Sequence, residues 1–472
     1  MLLTYVQILP SDGQPGPGLT LAPFRGLRYA QDRVSGLAEV TSPPYDVIAH
    51  DTETHLLAAD PHNVVRLILP RYQGRNPGDP CTDAAAMLRE WQDTGILVPD
   101  PEPALYVYEQ SRPGGTTIQR GLIGALRLSP LNGGPVLPHE DVAPGPVTGR
   151  RRLMEATGSN LEPIFLLYDG AAMGERGTHQ PGTGGPGEPG TGGPGSNGHT
   201  PGAATLLAEE AATRRPPLAT VDTADRMRHR LWALTDHAEH AAVAADLATR
   251  QALIADGHHR YAAYLELQAR KRAADAGPGP WDAGLALLVD SSAFPPRVGA
   301  IHRVISGLNP AEAVQCAKAA FTVQPLSGLS ADTPAAAVRA LREAGKTGIA
   351  FLVASGGEFH LLTDPDPAAV AAAMPGRSPH WRSLSAAVLQ ELLLARLWGV
   401  RDDEATVEIH HDAAHALRAT QPPQGGTAVL CPPLSASDVR QVAAHGERVP
   451  RKSTSFAPKP RTGLVMRSFA LG

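Results

Sequence analysis

Residues 253–267 read LIADGHHRYAAYLEL, and they force a change of backbone geometry within two positions. The apolar run Leu253–Ala255 is strand-like, whereas the Ala- and Leu-rich pattern that opens near Arg260 and Tyr261 is helical. Asp256 and Gly257 stand between them. The economical reading is a buried strand, a tight turn that only glycine permits, and a helix start. Such a corner aims free backbone N–H groups at whatever lies above it, which suits a phosphate. Asp256 is then placed to hold a cation, and His258, His259 and Arg260 supply donors and positive charge within one turn. The plain alternative is a surface turn capped by Asp256, with histidines that happen to be adjacent.

The other parts of the chain limit what that corner can serve. At 472 residues there is room for two or three domains, and 42% hydrophobic content is that of a globular protein. A net charge of -5 argues against a nucleic-acid coat, which needs a broad basic surface. Cys81, Cys316 and Cys431 are scattered and show no metal spacing, so they read as reduced thiols. No apolar run approaches a membrane span and no leader pattern opens the chain. The expectation is a soluble cytoplasmic protein acting on a small molecule, with its oligomeric state left open. No Gly-x-x-x-x-Gly-Lys-Ser/Thr loop is present, which excludes the common P-loop solution.

Read in order, residues 1–20 are an N-terminal arm. Residues 21–168 form the first part of a core, and 205–307, with the Asp-Gly-His-His-Arg-Tyr stretch, form the second. Between them, 169–204 is a Gly/Pro-rich insert in which PGTGGPGE returns nearly unchanged as PGTGGPGS. It has too little apolar surface to pack and is expected to be disordered. Residues 308–472 alternate helices and strands as a C-terminal α+β domain ending in a clamp-like tail. Within the core, Asn63–Leu69 reads as a strand by its branched apolar content, and Ala104–Glu109 and Gln119–Leu128 as partner strands around the turn at Pro113–Gly115.

Polar residues at strand ends and bends complete the candidate set. The double proline before Tyr45 and Asp46 fixes an extended path and holds both at a strand end. Arg25 stands in an extended segment. His139 and Glu140 follow the strand-like Val136–Leu137, where a carboxylate or imidazole could take a hydroxyl proton, although an ordinary ion pair is the default. His302 and Arg303 lie past a Pro-rich bend, as pocket lining or as a plain surface pair. Lys452, Ser453 and Thr454 suit anionic oxygens. His410 and His411 are adjacent without a third ligand, which argues against a metal site there.

These same stretches carry a resemblance. Pro23–Leu27, Ser42–Val47, Asn63–Leu67, Pro138–Glu140, Ala255–Ala263, His302-Arg303, Lys452–Thr454 and Pro458-Lys459 resemble the family catalogued as domain of unknown function 1015. The central stretch is also similar to the nucleotide-binding box of ParB-type proteins and to the phosphate-binding turn of sulfiredoxin. Closer still are the free-serine kinases of that superfamily, with Asp-Gly-x-His-Arg and an upstream glutamate.

The resemblance implies an α+β fold, with a ParB/sulfiredoxin-like mixed-sheet core and a C-terminal α/β region. It implies a phosphotransferase acting on a small hydroxylated metabolite, free L-serine above others, with ATP, ADP or pyrophosphate as donor and Mg²⁺ as cofactor. Glu140 would be the base, with Asp256 and His259 also catalytic and Asp256 a metal ligand. Gly257, His258, Arg260, Arg25, Lys452, Ser453 and Thr454 would hold phosphate or nucleotide. Tyr45, Asp46, His139, His302 and Arg303 would line the pocket. The alternatives are a ParB-like nucleotide switch without kinase activity and a metal-dependent hydrolase using paired histidines.

Overall fold

The computed structural model describes residues 18–70, 79–131, 133–171, 200–402, 406–421 and 425–471. The expected N-terminal arm up to residue 17, and residues 172–199 of the Gly/Pro-rich insert, lie outside them. The chain divides into two compact units. The first holds the residues up to Leu137, Val142–Pro295 and those from Pro458 on; the second holds Pro138–Asp141 and Pro296–Ala457. The architecture is a mixed α/β one built on several sheets, consistent with an α+β class. Among the described residues no helix is long and apolar enough to cross a membrane.

The first unit is organised around a nine-stranded sheet. In chain order its strands are β1 (Leu21–Ala22), β2 (Leu105–Ser111), β3 (Thr117–Arg127), β4 (Val136–Leu137), β5 (Ile164–Tyr168), β6 (Ala219–Asp222), β7 (Arg228–Leu234), β8 (Ala252–Asp256) and β9 (Ala283–Asp290). They lie in the order β4-β8-β5-β9-β3-β2-β7-β6, with β1 also paired to β3. The pairs β4/β8 and β5/β9 are parallel and the others antiparallel. β8, β5 and β9 are buried along their whole lengths, which is why their sequences are continuous apolar runs instead of alternations. Leu166, Ile254 and Leu288 pack there with Tyr261, Tyr264 and Leu267 of the helix that follows β8. A smaller sheet of Gly26–Tyr29, Leu97–Pro99, Ser159-Asn160 and Met466–Ser468 ties the C-terminal segment to the start of the core.

One local expectation changes. Asn63–Leu69 is not a strand: Val65–Ile68 forms one helical turn. Asn63 explains it, since its side-chain oxygen accepts from Val65 N at 2.9 Å and offers the backbone a capped turn instead of a ladder. The branched residues there report burial beneath Trp91 and Leu88 and not strand geometry. Leu384–Trp398 is helical in two pieces, Ser385–Ala387 and then a wide-turned π segment over Val388–Leu397.

The second unit carries a six-stranded antiparallel sheet. Its strands are β10 (His302–Ile305), β11 (Thr322–Leu326), β12 (Ala350–Ser355), β13 (Glu358–Thr363), β14 (Val407–His410) and β15 (Thr427–Leu430), in the order β11-β13-β12-β15-β10-β14. Leu352, Ala354 and Leu430 pack against Ala337 and Leu341 of the helix Pro334–Ala344 and Leu417 of Ala413–Arg418. A separate two-stranded pair joins Arg297–Gly299 to Ser455–Ala457.

β9 sits between β5 and β3 and Leu288 is 1% exposed, so its side chain has no route to water. Leu288→Ala is expected to destabilise the first unit by about 3 kcal/mol, the transfer term plus a cavity that packed strands cannot close. A urea titration followed by circular dichroism measures it; an unchanged midpoint would contradict the packing described.

Candidate phosphate site at the strand-to-helix corner

β8 ends at Asp256 and the helix His258–Ala273 begins two residues later, two to three residues earlier than the apolar pattern alone predicts. Gly257 makes the turn with φ +94, a conformation L side chains rarely adopt. A Cβ at Gly257 would lie 3.0 Å from Ile164 Cγ2 and 3.1 Å from Arg260 Nε. His258, His259 and Arg260 are therefore the first turn of the helix. The helix is 16 residues long, with Arg270, Lys271 and Arg272 in its last turn, which complements its dipole.

Asp256 is 7% exposed and its charge is answered by two cations. Oδ2 accepts from Arg260 Nη2 at 2.5 Å, one turn along the helix, and Oδ1 accepts from Lys459 Nζ. Lys459 comes from the C-terminal segment and also lies 3.4 Å from Asp46 Oδ2. The result is a chain of alternating charge, Asp46–Lys459–Asp256–Arg260, assembled from three stretches of sequence. Burial works against the ammonium of Lys459, but the two carboxylates outweigh it and its pKa rises. Arg260 is held the same way: burial opposes its charge, and Glu162, Asp256 and Asp46 raise its pKa well above the usual value. Its Nη1 donates to the Pro163 carbonyl at 2.6 Å.

A second layer supports the first. Glu162 accepts from the backbone N–H of Tyr45 at 3.0 Å and from Thr462 Oγ1 at 3.3 Å, and stands 3.8 Å from Arg150. Burial pushes its carboxyl pKa up, against the pull of Arg260 and Arg150. Arg150 lies 4.1 Å above the Tyr45 ring, whose hydroxyl burial pushes up to about 12. A small cleft of about 20 Å³ opens beside Arg260, walled by Arg150, Leu153, Asn160, Glu162 and Tyr264.

The candidate residues fall into separate groups. Asp256, Gly257, Arg260, Asp46 and Tyr45 meet at the corner. His258 opens the helix there, and His259 Nε2 accepts from Ala143 N at 3.1 Å, so this ring ties the segment after β4 to the corner. Arg25 belongs to a different cluster: its Nε donates to the Asp100 carbonyl at 3.0 Å, beside the Arg28–Asp100 pair. His139, Glu140, His302, Arg303, Lys452, Ser453 and Thr454 belong to the second unit. There His302 Nδ1 accepts from Cys431 N at 3.1 Å, and Arg303 Nη2 donates to the carbonyls of Arg451 and Lys452 at 3.2 and 3.0 Å. Thr454 Oγ1 lies between His139 and Glu140.

Lys459, Glu162 and Arg150 were not in the sequence-derived site. Lys459 had two available signals: it is one of only five lysines among 42 basic residues, and Pro458-Lys459 is among the stretches that carry the resemblance. Mg²⁺ ligation by Asp256 does not fit the arrangement, because both carboxylate oxygens already accept from cationic side chains. Among the described residues no group of three or more His, Cys, Asp or Glu is placed to hold a metal ion, the paired histidines included.

The family model "Protein of unknown function (DUF1015)" matches residues 21–178 and 198–387. The chain belongs to this family. No curated protein matches it significantly. Among solved structures it is similar to a free serine kinase in complex with AMP, at 13% identity and a TM-score of 0.36 over 76% of this chain and 95% of that one. A variant of a free serine kinase in complex with ADP gives 12% and 0.37 over 75% and 94%. A conserved hypothetical protein from Pyrococcus furiosus gives 12% and 0.34 over 75% and 97%. These likenesses are distant.

Two measurements test the electrostatics. Asp256→Asn leaves Arg260 and Lys459 without their shared anion and is expected to cost about 3 kcal/mol, the lower end for breaking a buried pair because Lys459 keeps some solvent. Adding Lys459→Met should recover part of that loss in a double-mutant cycle by urea unfolding; strict additivity would refute the coupling. In the second unit, burial lowers the His302 pKa to about 4. The folded state then binds fewer protons than the unfolded one, so this stability is present above the ordinary histidine value near 6.5 and is lost as pH falls toward 4. Urea midpoints at pH 7 and 4.5 should differ less in His302→Asn than in the unsubstituted protein.

Proposed function

We propose that the chain is a phosphotransferase that binds the phosphates of a nucleotide or of pyrophosphate at the Asp256–Gly257–His258 corner. It then passes one phosphoryl group to a hydroxyl of a small metabolite. The observation that carries this reading is the charge chain Asp46–Lys459–Asp256–Arg260 at the N-terminus of a 16-residue helix. Asp256 takes a cation on each of its carboxylate oxygens, and the second of them, Lys459, is shared loosely with Asp46.

The arrangement supports a definite sequence of events. The longest link is Lys459 to Asp46, at 3.4 Å. An arriving phosphate oxygen is a better partner for the ammonium than a carboxylate at that distance, so Lys459 turns to it while still held by Asp256. Arg260 stays fixed by Asp256 and the Pro163 carbonyl and contributes positive field without moving. The backbone N–H groups of the first helical turn face the same anion. Positive charge fixed before the reaction stabilises the developing charge on the transferred group, the main task in phosphoryl transfer.

Within this reading the core is ParB/sulfiredoxin-like and the acceptor is free L-serine, both carried by the Asp-Gly-x-His-Arg resemblance. That resemblance also gives Glu140 the proton of the acceptor hydroxyl.

Phosphorus NMR of the purified protein with L-serine and ATP, ADP or pyrophosphate, with and without Mg²⁺, tests the proposal. O-phosphoserine is expected with at least one donor. Lys459→Met is expected to lower kcat/KM about 100-fold, the scale of one lost charge-stabilising donor, and Glu140→Gln by at least as much. Nucleotide that is bound or hydrolysed without any phosphoserine would sink the kinase reading.

A further inference from the structure

The second unit contains a hydroxyl held as reacting hydroxyls are held. Thr454 Oγ1 donates to Glu140 Oε1 at 2.9 Å and lies 2.8 Å from His139 Nε2. A hydroxyl has one proton, and an ionised carboxylate only accepts. The proton on Thr454 therefore points at Glu140, and His139 must donate from Nε2–H, which fixes its tautomer. The oxygen has a base on one side and an N–H donor on the other.

The surroundings hold this geometry from several directions. Val449 N donates to the His139 carbonyl at 2.8 Å, and the Phe456 ring meets the His139 ring edge-on at 5.6 Å. Ser455–Ala457 pairs with Arg297–Gly299, which anchors the residues just after Thr454. Just before it, Arg303 grips the carbonyls of Arg451 and Lys452, and Lys452 turns with φ +54. Neighbouring hydroxyls are not equivalent. Ser453 is buried and donates to the Pro450 carbonyl, whereas Thr454 is half-exposed.

We infer that Thr454 is a phosphoryl acceptor within the chain, with Glu140 as its base and His139 as its positioning donor. As Thr454 Oγ1 bonds to phosphorus, the phosphoanhydride bond of the donor, a nucleoside polyphosphate or pyrophosphate, breaks. The shortened donor leaves with that bond's electron pair, and the proton of Oγ1 passes to Glu140. His139 continues to donate to the esterified oxygen. Burial raises the Glu140 pKa, opposed by Thr454 and Lys452, so the carboxyl is suited to keep the proton it receives. With that proton in place, Glu140 is neutral beside the new phosphate and does not repel it. The inference rests on the phosphotransferase reading for its donor.

The test incubates the full chain with ATP, ADP or pyrophosphate, then measures intact mass and maps the modified peptide by mass spectrometry. In the same tubes, with L-serine added, phosphorus NMR follows O-phosphoserine. One phosphoryl group on Thr454 is expected, retained in Thr454→Ser, absent from Thr454→Val, and formed at least about 100-fold more slowly in Glu140→Gln, the scale of a lost general base. No label on the unsubstituted chain, label confined to Ser453 or Ser455, or an unchanged rate in Glu140→Gln would each overturn it. Phosphoserine with Thr454 unmodified defeats this inference and leaves the kinase reading standing; labelled Thr454 without phosphoserine does the reverse. The unsubstituted chain and Thr454→Ser keep both hydrogen bonds, so the outcome does not hang on whether Thr454→Val folds.

Discussion

A carboxylate taken out of water must find cations or surrender its charge, and Asp256 finds two. Much of the first unit follows from that requirement. Arg260 can reach back to Asp256 only if the helix starts at once, which demands the left-handed turn at Gly257. Lys459 can reach it only if the C-terminal segment returns to this unit. That segment is drawn in by Met466–Ser468 pairing with Gly26-Leu27 and with Ser159-Asn160. Strand end, helix start and chain end thus hold one another. Loss of any one would leave a buried charge uncompensated.

At the corner three cations, Arg260, Arg150 and Lys459, are set against three carboxylates, Asp256, Glu162 and Asp46. Arg260 faces Asp256 and Glu162 and lies 5.9 Å from the Tyr45 ring, while Arg150 covers the same ring from 4.1 Å. Two guanidinium groups around one tyrosine are tolerated because each keeps a further anchor, Arg150 on the Ile68 carbonyl and Arg260 on the Pro163 carbonyl. The arginines are therefore fixed in place by their carbonyl anchors, whereas Lys459 has only carboxylate partners, and its contact with Asp46 is the longer of the two. A compact, strongly hydrated ammonium suits such a movable role better than a planar fork pinned on both sides.

What the sequence reveals and conceals follows from the range of each interaction. Asp256, Gly257 and Arg260 sit within five residues, so the left-handed turn and the helix start can be read directly from the pattern. Tyr45 and Asp46 are not at the expected strand end: they open the 3₁₀ turn Tyr45–Val47, because the two prolines preset an extended approach but leave no N–H to carry a ladder onward. Lys459 is 203 residues from Asp256 and Glu162 is 117 from Tyr45, and no local pattern encodes such contacts. Asn63–Leu69 misleads for a related reason: branched apolar residues signal burial, and only the capping oxygen of Asn63 distinguishes a helical turn from a strand. Glu140 carried a chemical signal, a carboxylate after a strand, but its hydroxyl partner Thr454 lies 314 residues away.

Within their own units, the two carboxylates are handled in opposite ways. Asp256 is surrounded by fixed positive charge and serves as an anchor that other groups orient around. Glu140 accepts from the Thr454 hydroxyl and from the backbone N–H groups of Ser453 and Thr454, and burial raises its pKa against their pull and that of Lys452. A group whose charge is locked by two cations makes a poor proton carrier, since protonation would strand both. A group bound to a neutral O–H can take that proton with little rearrangement, because the proton moves along a hydrogen bond already formed. The same physical rule that makes Asp256 a fixed anchor makes Glu140 the carboxylate suited to proton transfer.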